Sequence, residues 1–326
     1  MPDQSAYLGI DLGGTKILSG LVDDDGTVLA TELMETQSSR GKGNVLDRVT
    51  RSAEKLAEKA RDMGRKVRAV GFGGPGPVDP KEGVLYSPPN LPGWDKVPLA
   101  KIMADRLGAP CFLENDANAA ALGENLFGAG KGSRYMVYLT VSTGVGSGVI
   151  SHGTLYSGAN GFAAEAGHMT LLPDGPLCPC GNRGCLEALS SCTAIAREAK
   201  EILARPEAKT RIRELARNDP DKVTAKLVAQ AAEQGDMEAK RIIAKAMEYL
   251  GMGVASLVNL LNPEMVVIGG SLANLGDAMF GPVRRAVDRR AFAVNASAVS
   301  IVPAALGDRV GILGAAALAM QRYSPT

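Results

Sequence analysis

The sequence predicts an α/β protein built as two related lobes, and three observations carry that expectation. Apolar β-branched runs that end in glycine clusters alternate with stretches of helical apolar spacing. A strand, a glycine turn and a returning strand open the chain at YLGIDLGGTKILSGLVD, and the theme recurs at RYMVYLTVSTGVGSGVIS. The 326 residues are enough for about two domains at roughly 150 residues each.

The elements follow in order. AYLGID is a strand that runs into a GGT turn; KILSGLVD alternates and stops at Asp24-Asp25-Gly26, a hairpin signal; TVLATELME alternates again. From Asn44 to Met63, Val45, Leu46, Val49, Ala53, Leu56, Ala57, Ala60 and Met63 recur at helical spacing, and Gly64 is the stop. KVRAVGFG is a buried strand, residues 75–98 are a Pro- and Gly-rich irregular loop, PLAKIMADRLG is a helix and APCFLEND a strand. Helical patterns fill 193–217, 222–233 and 236–261. EMVVIGG is a strand, DAMFGPVRRAVDRRAF a helix, VSIVPA a short strand and GILGAAALAMQRY an alanine-rich helix.

Composition narrows the function classes. A formal net charge of +1 argues against nucleic acid or an anionic membrane as the main partner. No apolar run reaches the ~18 residues that would suggest a membrane span. The start, MPDQSAYLG, lacks the basic-then-apolar pattern of a secretory leader. Five cysteines, an odd number, suit a reducing compartment, so a cytoplasmic protein is expected. Cys111 and Cys192 read as small apolar core residues.

Three glycine turns are candidate nucleotide contacts. Asp11-Leu12-Gly13-Gly14-Thr15-Lys16 follows the first strand: its backbone N–H groups can face phosphate oxygens, Thr15 adds a hydroxyl, and Asp11 can hold Mg²⁺. Lys16 serves either the phosphates or the next strand. A plain hairpin turn would explain the glycines but not the aspartate. Ser142-Thr143-Gly144-Val145-Gly146-Ser147-Gly148 is a second such turn. Gly269-Gly270, after EMVVI, allows the close backbone approach that a flat adenosine ring needs. Gly71-Phe72-Gly73-Gly74-Pro75-Gly76 matches GxGxxG, but that fingerprint needs a helix at its end, and Pro75, Pro77 and Pro80 prevent one. This loop suits a substrate pocket, especially at Gly76. No GxxxxGK[ST] occurs.

Glu114-Asn115-Asp116 is a dense polar cluster at a strand end, where ligands bind in α/β proteins. Asp116 can take a proton from an attacking hydroxyl, as the base does in phosphoryl transfer. Asn and Asp are also favoured helix N-caps, so Asp116 is base, cap or both. Further on, His168, Cys178, Cys180 and Cys185 place four ligands in a His-x9-Cys-x-Cys-x4-Cys pattern that suits a closed tetrahedral zinc site. Disulfides or scattered core thiols are the alternatives. Glu165 and Glu187 flank this knuckle; each is either a surface charge or a carboxylate that accepts from sugar hydroxyls.

Together these residues resemble the ROK family, named for repressors, open reading frames and sugar kinases, over nearly the whole chain. Val141–His168, IDLGGTK, ENDANAAALGE, the HisCys₃ knuckle and VVIGGS carry the resemblance. It implies the two-lobed actin-like, sugar-kinase (ribonuclease H-like) fold with an interdomain cleft, with lobes at 1–115 plus 309–326 and at 116–308. It implies ATP-dependent phosphorylation of a hexose at its 6-hydroxyl, glucokinase activity first. Asp116 would be the base, and Gly76, Asn90, Asn115, Asp116, Glu165, His168 and Glu187 the sugar ligands. Asp11, Gly13, Gly14, Thr15, Lys16, Thr143, Gly144, Gly269 and Gly270 would serve ATP and Mg²⁺. A structural Zn²⁺ would order the sugar loop, and the assembly would be a homodimer or homotetramer.

Two departures, Gly74 and the Pro88-Pro89 pair, fall near the sugar loops. Fructose, mannose or an N-acetylhexosamine are the alternative substrates, and polyphosphate the alternative donor. A sugar-responsive repressor is the rival class; its DNA-binding module would precede the first strand, which begins near Tyr7 and is expected to leave no room for one.

Overall fold

The structure is a computed structural model that describes residues 4–205 and 207–323. The chain divides into two compact units, one of Met1–Tyr138, Gly148–Ala164 and Ala304–Thr326 and one of Leu139–Ser147 and Glu165–Pro303.

The first unit begins with β1 (Gln4–Leu12), β2 (Lys16–Asp23), β3 (Val28–Glu35), α1 (Lys42–Asp62) and β4 (Arg65–Gly74). It continues with β5 (Val78–Asp79), β6 (Val84–Leu85), α2 (Leu99–Leu107), β7 (Cys111–Asn115) and α3 (Asp116–Phe127). Its five-stranded sheet has the order β3-β2-β1-β4-β7. β2 runs antiparallel to both neighbours, whereas β4 is parallel to β1 and to β7. The β2–β3 hairpin forms where expected, because the Asp23 carboxylate accepts the N–H groups of Asp25 and Thr27 at 3.2 and 2.8 Å.

Period-two alternation on β1 sends Ala6, Leu8, Ile10 and Leu12 into one core with Val49, Leu56 and Phe72. Tyr7, on the other face, joins Val22, Ala69 and Ile312. The α1 stripe Val45, Leu46, Val49, Ala53, Leu56 and Ala60 is buried, and Gly64 leaves the helix at φ 68°.

The chain goes on through β8 (Met136–Val141), β9 (Val145–Ser151) and β10 (Thr154–Leu155). Next come α4 (Leu186–Ser190), α5 (Cys192–Leu203), α6 (Arg211–Leu215), α7 (Ala225–Glu233) and α8 (Met237–Leu261). β11 (Met265–Gly269), α9 (Asp277–Arg290), α10 (Ala293–Ala298), β12 (Ser300–Pro303) and α11 (Val310–Arg322) complete it. The second five-stranded sheet has the order β10-β9-β8-β11-β12. α8 packs on α4, α7 and α9 and buries Ile242, Ala246, Leu250 and Val254.

α11 lies directly on the first sheet. A methyl group at Gly9 would stand 1.9 Å from the Ile312 carbonyl oxygen, and one at Gly71 would stand 1.8 Å from that of Ala315. Only bare backbone on the strands permits that approach.

Three local expectations are revised. Residues 75–98 contain the β5–β6 pair, and Leu85 exchanges two hydrogen bonds with Val97, at 2.9 Å each. The pattern over 193–217 breaks into α5 and α6, and the helix from Asp277 stops at Arg290 before the separate α10. As expected, no helix opens after Gly71–Gly76: β4 runs to Gly74 and the chain enters β5. Among the described residues, no helix is long and apolar enough to cross a membrane.

Candidate active site and metal centre

In the first unit the predicted residues collect at the C-terminal ends of β1, β4 and β7. The turn after β1 is closed by Gly13 N–H donating to Lys16 O at 3.0 Å. Thr36 clamps it twice, through Oγ1 to Gly13 O at 2.6 Å and N–H to Thr15 O at 2.8 Å. Thr15 and Lys16 are exposed, and Lys16 opens β2 opposite Glu35. Burial pushes the Asp11 carboxyl above its ordinary range, and the Lys16 charge offsets part of that. Gly14 lies against Asn90, so closely that a methyl group there would be 2.5 Å from Asn90 Cβ.

β7 delivers Glu114, Asn115 and Asp116 to the start of α3. Asn115 is the N-cap: its Oδ1 accepts the N–H groups of Ala117 at 2.9 Å and Asn118 at 3.4 Å. Asp116 is therefore the first helical residue, exposed, with Oδ1 also accepting the Ala117 N–H at 2.7 Å. Gly76 faces the Asn115 amide, with 3.2 Å between a notional Cβ and Nδ2. Glu114 sits behind them, fully buried, and burial pushes its carboxyl upward.

In the second unit, the Ser142–Val145 turn is held by groups distant in sequence. Ser142 N–H donates to Gly144 O at 2.9 Å, Cys192 N–H to Ser142 O at 2.8 Å, and Thr193 Oγ1 to Thr143 O at 2.8 Å. Val145 N–H donates to Glu187 Oε2 at 2.9 Å. Gly270, at φ 84°, stands where a methyl group would be 2.4 Å from Val141 O, and Ser271 Oγ lies 3.0 Å from Ser142 Oγ. The second and third glycine turns thus adjoin.

The ligand atoms of His168, Cys178, Cys180 and Cys185 all lie within 4.8 Å of one another. His168 Nδ1 is 3.7 Å from Cys178 Sγ, and Cys180 Sγ is 3.7 Å from Cys185 Sγ. Tetrahedral ligands at about 2.3 Å from a zinc ion stand roughly 3.7 Å apart, whereas a disulfide needs about 2.05 Å. The four residues fit a metal. His168 Nε2 turns to Glu165 Oε2 at 3.9 Å, and Cys178 Sγ approaches Glu187 Oε1 at 3.8 Å.

Some functional candidates are not visible in the sequence. A cavity of about 910 Å³ borders the second turn and is lined by Thr143, Gly144, Glu187, Cys192, Arg197 and Lys200. Cys192, expected in the core, is half-buried beside it, with Sγ 3.4 Å from Ser271 Oγ. The signal available was its place at the start of α5, directly after the cap Ser191. Cys111 does pack partly buried against the core. Another cavity, of about 870 Å³, lies at the N-terminal ends of β4 and β7 and contains none of the predicted site residues.

The profile of the ROK family matches residues 7–322. The chain belongs to the ROK family. This ROK protein is 39% identical over 315 residues to the glucokinase of Thermotoga maritima, covering 97% of each chain. A ROK family glucokinase from Streptomyces griseus, solved in complex with glucose and AMPPNP, superposes with a TM-score of 0.80 at 36% identity, covering 97% of this ROK chain and 99% of that one. The xylose repressor of Caldicellulosiruptor bescii is 33% identical over 316 residues, covering 97% of this chain and 78% of the repressor. The fold class is thereby the α/β actin-like, sugar-kinase fold of ROK proteins.

Proposed function

We propose that this ROK protein is a glucokinase that transfers the γ-phosphoryl group of ATP to the 6-hydroxyl of glucose, with Asp116 as general base. The identity to glucokinases over nearly full length supports the activity and the sugar. The observation that carries the base assignment is the division of labour at the start of α3. Asn115 takes the N-cap position, and the exposed Asp116 carboxylate, which also accepts the Ala117 N–H, stands at the end of a strand that leads into the polar site.

Gly76, Asn90, Asn115, Asp116, Glu165, His168 and Glu187 are assigned to the sugar. Asp11, Gly13, Gly14, Thr15, Lys16, Thr143, Gly144, Gly269 and Gly270 are assigned to the nucleotide. Asp11 would hold Mg²⁺, which supplies charge neutralisation on the phosphates when bound. His168, Cys178, Cys180 and Cys185 would hold a structural zinc that orders the Glu165–His168 segment.

The test is ADP release with Mg-ATP across glucose, mannose, fructose, N-acetylglucosamine and N-acetylmannosamine, ranked by kcat/KM. A lead for glucose is expected; a lead for another sugar replaces the substrate. Asp116→Asn should lower kcat by ~10²–10⁴-fold with the thermal midpoint unchanged. Near wild-type turnover in that variant would remove Asp116 from the base role. The repressor relative favours a second reading, sugar sensing without transfer, and an absence of turnover with every sugar in folded, zinc-loaded protein would support it.

A further inference from the structure

Glu187 touches two features that its assigned role on the sugar does not connect. Its Oε2 accepts the Val145 N–H at 2.9 Å, and a methyl group on Gly144 would lie 2.3 Å from that oxygen. The carboxylate therefore abuts the second glycine turn and fixes the peptide plane between Gly144 and Val145. The carbonyl of the same peptide accepts the Ser142 N–H at 2.9 Å, so fixing this plane closes the turn. Its other oxygen, Oε1, lies 3.8 Å from Cys178 Sγ.

The backbone of Glu187 is tied to the same metal cluster. Cys185, a ligand, is the residue that precedes α4, and Glu187 is the second residue of that helix. Thr170 and Cys185 form an antiparallel bridge, and Leu186 N–H donates to Met169 O at 2.9 Å. His168–Thr170 and Cys185–Glu187 therefore run side by side. A metal ion that joins His168 to Cys185 staples the two segments from which the Glu187 carboxylate is presented.

The first glycine turn offers the contrast. It is closed by its own backbone and by Thr36. Among the described residues, no metal-ligating cluster other than the His168 group is present.

We infer that Glu187 is a positioning residue that links the metal centre to the second glycine turn, so that zinc occupancy and nucleotide affinity are coupled through one carboxylate. The inference rests on the reading of Thr143–Gly144 as a nucleotide turn. Its sign is positive: the loaded cluster holds Glu187 in place, Glu187 holds the turn, and the turn is then ordered before nucleotide arrives. Reciprocity requires nucleotide to raise the affinity for zinc by the same factor.

Amide hydrogen exchange at Val145 is compared in zinc-loaded and chelator-treated protein, alongside Mg-ADP affinity by calorimetry in both states. Zinc removal is expected to speed exchange at Val145 at least tenfold, to leave Gly13–Lys16 unmoved and to weaken Mg-ADP about tenfold, a typical coupling strength. In Glu187→Ala, exchange at Val145 is fast in both states and Mg-ADP affinity no longer depends on zinc. Glu187→Gln, which keeps an acceptor for the Val145 N–H, retains the zinc dependence even where its grip on glucose is lost.

Zinc-independent exchange at Val145 overturns the link, as does zinc dependence that survives in Glu187→Ala. Equal acceleration of Val145 and Gly13–Lys16 also overturns it, since the metal is then a global stabiliser. Zinc-dependent exchange at Val145 in protein that binds no Mg-ADP in either state supports the link and refutes the nucleotide reading instead.

Discussion

α3 has a buried carboxylate at each end, and the two are treated in opposite ways. Glu124, in the last turn of the helix, and Glu114, the residue before the cap, are both fully buried. Glu124 accepts from backbone at every side: Ala129 N–H at 2.8 Å, Ala305 N–H at 3.0 and 3.1 Å, and Leu306 N–H at 2.9 Å. Glu114 accepts the Asn115 N–H and the Asn118 amide on Oε1, each at 3.0 Å, while Oε2 and the neighbouring Asn118 Oδ1 have no hydrogen-bond partner among the described residues. Burial alone does not determine what a carboxylate costs; the count of donors does. One end of α3 is latched to the segment that leads into α11. The other holds an under-satisfied carboxyl directly behind the proposed base.

Glutamate-to-glutamine substitution at each end tests this contrast. Glu124→Gln should destabilise the protein by about 2–3 kcal/mol, because the new NH₂ group meets backbone N–H donors and leaves them unpaired. Denaturant unfolding at neutral pH measures it; a cost below about 0.5 kcal/mol would show that the latch is dispensable. The cap between the two comes next. Asn115→Ala should cost about 1 kcal/mol, whereas Asn115→Ser should recover most of that by capping with its hydroxyl. Equal thermal midpoints for the two variants would remove the capping role. Both should weaken glucose binding if the Asn115 amide beside Gly76 grips the sugar.

Much of this was legible because it is local. The α1 stripe, the Gly64 stop, the strand–turn–strand corners and the spacing of His168, Cys178, Cys180 and Cys185 are all short-range patterns set by helix and strand periods or by ligand geometry. What the sequence left hidden depends on contacts between distant segments. β5 and β6 are two residues each, too short to show a period, and exist through their pairing with each other, with Leu85 also bridged to Val97. Asn115 and Asp116 are equally good caps by type, and backbone geometry at the β7–α3 junction makes Asn115 the one used. The bond from Val145 to Glu187 spans 42 positions, so neither residue's neighbours announce it. Cys192 looked like a core thiol by composition and was drawn beside a cavity by its place at the start of α5.

The smallest expected effect is the most diagnostic of the Glu114 end. Its carboxyl is raised chiefly by burial; the Asn118 amide, the Asn115 N–H and the Arg322 charge only partly offset this. The folded protein therefore keeps the Glu114 proton at pH values where the unfolded chain has already lost it. Stability from this group is fully present below the ordinary glutamate range. It declines as pH rises from that range through the raised folded value, and is level above. A bound proton also gives Oε2 a donor where the structure otherwise has two buried acceptors, on Glu114 and Asn118. Glu114→Gln has no proton to lose. It should lie within about 1 kcal/mol of wild type at acid pH and gain on wild type as pH rises to neutral. The measurement is the difference between the two unfolding free energies across pH 4–8, which cancels the titration of every other group. A variant destabilised equally at all pH values would mean that the charged carboxylate, rather than its proton, is what the Asn115–Asp116 corner needs.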